Sequence, residues 1–96
     1  MVVGTCELMF QLPENRSLKG KRQVSRSLSQ RIRNRFNVSV AEVCDQDRWQ
    51  TLSLGVSCVS DDARHANEVL SKVVDFIEDQ DGNAVLHSHR IEILRT

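Results

Sequence analysis

Eight cations and no acid lie between Asn15 and Ala41: Arg16, Lys19, Lys21, Arg22, Arg26, Arg31, Arg33 and Arg35. A solvated run of this kind can neutralise phosphodiester oxygens through charge-assisted hydrogen bonds and the release of counterions. Further on, Arg48 and Trp49 stand in the polar segment from Asp45 to Trp49. An indole there could stack on a base, anchor a protein partner, or fold back over its own loop. The chain as a whole carries no net charge, with 13 Lys plus Arg against 13 Asp plus Glu, so the basic run is a segregated feature. Its counterpart is the stretch from Asp61 to Asp81, where Asp61, Asp62, Glu68, Asp75, Glu78, Asp79 and Asp81 outnumber Arg64 and Lys72.

Other chemistries find less support. Cys6, Cys44 and Cys58 are an odd number without CxxC spacing, which suits a reducing compartment and excludes a disulfide framework or a cysteine-ligated metal or cluster. Cys6 and Cys58 fall on the apolar parity of their segments and are expected to be small buried hydrophobes. His87 and His89 share one parity, but two imidazoles with no third ligand make a poor metal site. No Ser or Cys sits in a motif beside a histidine, so no catalytic residue, metal or cofactor is expected, and the protein is read as not an enzyme. A chain of 96 residues has room for one two-layer core and little for a deep cleft. No apolar stretch approaches the roughly 20 residues of a membrane span, and Met-Val-Val-Gly lacks a basic secretory start, so a cytoplasmic protein is expected.

The elements that would position these groups can be read from periodicity. Residues 2 to 12 alternate, with Val2, Gly4, Cys6, Leu8, Phe10 and Leu12 on one parity, and Pro13 ends the strand. Ser17 is placed to cap a helix whose apolar positions are Leu18, Val24, Leu28, Ile32 and Phe36. Asn37 to Cys44 is valine-rich and reads as a second strand, and Gln50 to Ser60 as a third, with Leu52, Leu54, Val56 and Cys58 inward. A second helix is predicted from Asp61 to Gln80, with Ala66, Val69, Leu70, Val73, Val74 and Ile77 buried and Asp61 and Asp62 in its first turn. Gly82 and Asn83 mark its end, and Ala84 to Leu94 is read as an edge strand of mixed parity. The order βαββαβ with right-handed crossovers predicts one α+β domain over residues 1–96. It would be a ferredoxin-like sandwich with two helices on one face of an antiparallel sheet of order 4-1-3-2.

The segments "SLKGKR", "FNVSVAEV", "QDRWQ" and "LGV" resemble the YlxP-like family of small bacterial proteins, and the likeness spans nearly the whole chain. The resemblance implies the same ferredoxin-like fold. It also implies, through gene neighbourhoods shared with translation initiation and ribosome maturation factors, a role near the ribosome. It implies no catalytic residues.

In the predicted topology the loop after the first strand, the turn between strands two and three, and the end of the second helix share one end of the sandwich. That end gathers Arg16, Lys19, Lys21, Arg22, Gln46, Arg48 and Trp49. On the wheel of the first helix, Lys19, Arg26 and Arg33 point away from the core and Arg22 points sideways, while Lys21 and Arg35 turn toward it. The expected nucleic-acid-binding residues are therefore Arg16, Lys19, Arg22, Arg26, Arg33, Arg48 and Trp49, in an accessory protein of translation or ribosome maturation that contacts ribosomal RNA or a subunit. The competing expectation is mutual neutralisation of the two helices, Lys19, Lys21 and Arg22 against Glu78, Asp79 and Asp81, and Arg31, Arg33 and Arg35 against Asp61 and Asp62. A homodimeric interaction module without RNA binding is the alternative function, formed through a sheet face that carries Val3, Met9 and Val59 and no aromatic for RNA stacking. An acylphosphatase-like hydrolysis of phosphoanhydrides through Arg16 and Gly20 is the remaining enzymatic possibility, although "LPENRSLKGKR" does not match a glycine-rich anion loop.

Overall fold

The alternation in residues 2 to 12 becomes β1 (Val2–Gln11), and the buried parity is the one carrying Val2, Cys6, Leu8 and Phe10. The computed structural model describes residues 1–44, 47–79 and 83–96. The remaining elements are α1 (Leu18–Arg35), β2 (Ser39–Glu42), β3 (Thr51–Ser60), α2 (Ala63–Glu78) and β4 (Val85–Arg95). The four strands form one antiparallel sheet in the order β2-β3-β1-β4, which counted from the opposite edge is β4-β1-β3-β2.

Both helices pack on the face defined by the even residues of β1 and β3. There Leu8, Phe10, Leu52, Leu54 and Val56 join Leu28 and Ile32 of α1 and Ala66, Leu70, Val73 and Ile77 of α2 in one cluster. Removing each large side chain here from water stabilises the fold by about 1.5–3 kcal/mol. Gly4 allows α2 to sit close, because a Cβ there would lie 2.8 Å from Leu70 Cδ1. The opposite sheet face has no layer upon it among the described residues.

The boundaries shift for local reasons. Leu12 is buried but lies beyond β1, its N–H donating to Gln50 O at 3.0 Å as the chain turns into Pro13. β2 is shorter than the predicted 37–44 because Val38 N–H turns back to Phe36 O at 3.0 Å and Cys44 adopts φ 54°, a left-handed conformation that breaks the ladder. In α2, Asp62 is the N-cap, its carboxylate accepting from Arg64 N at 3.0 Å, and Asp61 precedes it. The first turn therefore holds no acid, which corrects the predicted placement: from the N-cap position the Asp62 carboxylate reaches the free N–H of Arg64. The predicted stop at Gly82 lies outside the described residues.

A bulge accounts for the mixed parity of the last segment up to Leu94, which pairs with Val3 on the uncovered side. Met9 pairs with Ser88 and Phe10 with Leu86, so His87 is an extra residue at a bulge. Before it Leu86 shares the side of buried Phe10, and after it Ile91 and Ile93 pair with Cys6 and Gly4 on that same side. His87 has no partner in the register and His89 pairs with Leu8; both are exposed.

Candidate nucleic-acid interface

The register brings one end of the sheet together with the start of α1. Gln11 pairs with Thr51 and with Val85, so the β1–α1 loop, the β2–β3 turn and the approach to β4 emerge side by side. At this end Ser17 caps α1 at φ −156°, its Oγ accepting from Gly20 N at 3.0 Å. Asn15 Nδ2 donates to Ser17 O at 2.8 Å and also to Trp49 O. Gln50 Nε2 reaches Pro13 O at 3.4 Å and Asn15 O at 3.2 Å. The space left at Gly20 is taken by the Asn15 amide, since a Cβ there would overlap Asn15 Oδ1. Gly20 thus serves close approach by the protein's own loop.

Lys21 is the strongest tie. It is 1% exposed, donates from Nζ to Arg48 O at 2.6 Å, and lies 3.5 Å from Glu42 Oε2. A buried ammonium is tolerated only when charge and hydrogen bonds replace its water, and β2 and the following turn supply both. Its acid is therefore Glu42, the residue that ends the acid-free run, rather than Glu78 or Asp79 of α2. The buried face of α1 is correspondingly Lys21, Ser25, Leu28, Ser29 and Ile32, spaced as one helical stripe, with Val24 and Phe36 at its margin.

The remaining cations divide into two groups. Arg16, Lys19, Arg22 and Arg26 are exposed, and among the described residues no acid lies within ion-pairing distance of any of them. Lys19, Arg22 and Arg26 are spaced by three and four residues and share one side of α1. Arg33 instead donates from Nη2 to Val40 O at 2.7 Å, and Arg35 places its guanidinium carbon 4.9 Å from the Phe76 ring centroid. These contacts replace the expected pairing of Arg33 and Arg35 with Asp61 and Asp62. Asp81, and Gln46 of the expected site, lie outside the described residues. Arg48 is exposed beside Trp49, whose residue is 52% exposed and so does not fold back under the loop.

Two of the three thiols are set against nucleophilic chemistry. Burial pushes the Cys6 thiol up to about 11 and raises that of Cys58 as well, so both are protonated near neutral pH. Cys44 is exposed. Among the described residues no three His, Cys, Asp or Glu side chains converge as a metal site.

The uncovered sheet face differs in character. Leu94, Val3 and Val59 lie abreast across β4, β1 and β3, with Leu94 48% and Val59 69% exposed. Next to them is a depression of about 430 Å³ floored by Thr5, Ser39, Ala41, Gly55 and Ser57 and edged by the Arg90–Glu92 ion pair at 3.2 Å. Its floor has no aromatic.

Sequence reasoning missed the three braces of the interface, Asn15, Glu42 and Gln50. Only Glu42 left a signal, as the first acid after a run that puts one lysine on the buried parity.

An α+β domain with a capped cationic helix and an exposed tryptophan is the class defined by this geometry. The chain belongs to the family described as protein of unknown function (DUF503), whose model matches residues 3–90. It is also 35% identical over 77 residues to the uncharacterized protein YlxP of Bacillus subtilis (strain 168), covering 80% of this chain and 84% of that protein. No helix among the described residues is long and apolar enough to cross a membrane.

Proposed function

We propose that the chain is a non-enzymatic, cytoplasmic accessory protein of translation or ribosome maturation, built as a ferredoxin-like sandwich, that contacts RNA phosphates through the outer side of α1. The observation that carries the reading is the exposed stripe Lys19, Arg22 and Arg26, with Arg16 before it and no acidic partner among the described residues. Cations near a helix start oppose its dipole by about 0.3–1 kcal/mol each when exposed, a cost that an external anion would offset. Arg48 and Trp49 flank the stripe, and Arg33, bound to Val40 O, stands at its margin. The setting in translation comes from the gene neighbourhoods of the family that the chain resembles.

Co-sedimentation with ribosomal subunits across a salt series tests the reading. Salt-sensitive association with one subunit, lost in the Arg22→Glu, Arg26→Glu variant, is the expected result; no association even at low salt removes direct ribosome contact.

The row Leu94, Val3 and Val59 favours a second reading, a homodimeric interaction module joined through the uncovered sheet face. Sedimentation velocity would then show a dimer that Val59→Asp with Leu94→Asp converts to monomer, and RNA would leave it unaffected.

A further inference from the structure

Of the chain's three phenylalanines and one tryptophan, only the tryptophan is exposed. Phe10 is buried in the core, and Phe36 and Phe76 meet edge to face at 5.7 Å between centroids. Trp49 is exposed, and among the described residues no ring or cation stacks on its indole.

The backbone beneath that indole is held on several sides. The carbonyl of Arg48 accepts from Lys21 Nζ, that of Trp49 from Asn15 Nδ2, and that of Gln50 from Leu12 N, while the Gln50 side chain bonds back to the β1–α1 loop. A ring on a backbone held in this way leaves only its side-chain torsions to be ordered on binding. Its charged surroundings are mixed, with Asp47 two residues before it and Glu14 in the facing loop beside the cations Arg16 and Arg48. Arg16 lies between Asn15, which holds the Trp49 carbonyl, and Ser17, which caps the helix leading to Lys19 and Arg22. The exposed apolar row Leu94, Val3 and Val59 is at the other end of the sheet, since Val3 pairs there while Gln11 pairs at the Trp49 end. A protein-binding tryptophan is expected within an apolar patch; this one has Arg48 beside it in the chain and Arg16 next to the Asn15 that holds its carbonyl.

We propose that Trp49 is a base-stacking platform and that the RNA taken by this interface is single-stranded, an unpaired base lying on the indole while neighbouring phosphates meet Arg16, Lys19 and Arg22. A paired base keeps its faces inside the helix stack, so a duplex can offer the site phosphates but no free π-face. The inference rests on the reading of α1 as an RNA contact, and the test separates the two.

Trp49 is the one tryptophan and the chain has no tyrosine, so the intrinsic emission reports this residue alone. The full chain is titrated at low salt with a labelled ten-nucleotide single-stranded RNA and with the blunt duplex of the same sequence, following both label anisotropy and tryptophan emission. The single strand should bind with steep salt dependence and quench the emission by more than half, and the duplex should leave it unchanged. Trp49→Ala should weaken single-strand binding about tenfold to a hundredfold with the salt slope unaltered, and Trp49→Phe should retain most of the affinity. Salt-dependent binding with unchanged emission and an unaffected Trp49→Ala variant would overturn the platform while leaving the α1 reading intact. Equal quenching by the duplex would overturn the single-strand assignment. Binding of neither RNA would remove the α1 reading and the platform with it, and an emission change produced only by a protein partner would replace RNA with protein at this site. Circular dichroism of both variants confirms that each is folded.

Discussion

The two halves of α1 carry the same kind of residue to different ends. In the first half Lys19, Arg22 and Arg26 face solvent with no acid beside them among the described residues, while in the second half Arg33 and Arg35 are drawn onto Val40 O and the Phe76 ring. The difference comes from what passes alongside. The C-terminal half runs past the start of β2 and the flank of α2, which offer a carbonyl and an aromatic face. Among the described residues the exposed side of the N-terminal half has no such neighbour, and its inward lysine is held by Glu42 and the turn before Trp49. A cation's role therefore follows from the acceptors within its reach, and a count of charges along the helix does not reveal it.

That contrast can be broken by four variants. The largest effect is expected for Arg22→Glu, Arg26→Glu: RNA affinity about a hundredfold lower, the log–log salt slope reduced by about 2, and urea stability within about 0.5 kcal/mol of the parent. A variant that binds as the parent does would erase the distinction between the halves. Lys21→Met should lower unfolding stability by about 2 kcal/mol, because Glu42 and the Arg48 carbonyl lose their donor. It should also weaken RNA binding without changing the salt slope by a full contact, as the turn it anchors loosens. Arg33→Ala should cost about 1 kcal/mol in urea unfolding through the lost bond to Val40 O, with RNA affinity within about twofold of the parent. Smallest is Arg35→Ala, about 0.5 kcal/mol for the exposed contact with the Phe76 ring and no measurable change in binding. If Arg33→Ala lost binding as heavily as the double variant, the RNA surface would extend along the whole helix.

Much of the architecture was legible in residue order, since side-chain parity and helical spacing are local. Alternation in residues 2 to 12 and 50 to 60 marked the inward positions of β1 and β3, and the spacing of Ala66, Leu70, Val73 and Ile77 marked the buried side of α2. The mixed parity of the last strand was visible but not interpretable, because a bulge is defined by pairing with β1, which lies some eighty residues away in the chain. The candidate interface was legible in its cations and its tryptophan. The braces that present them were not, because Asn15, Lys21, Glu42 and Gln50 meet through bonds between segments far apart in sequence.

By itself, then, the sequence determined the element order, the inward faces and the segregation of charge, all of which depend on neighbours within a few residues. Which cations remain exposed, where Lys21 finds its acid, and how Trp49 is held were decided only by the tertiary structure. Each depends on a carbonyl, a carboxylate or a ring delivered from another element, and hydrogen bonds and ion pairs act over a few ångströms of space whatever the distance along the chain.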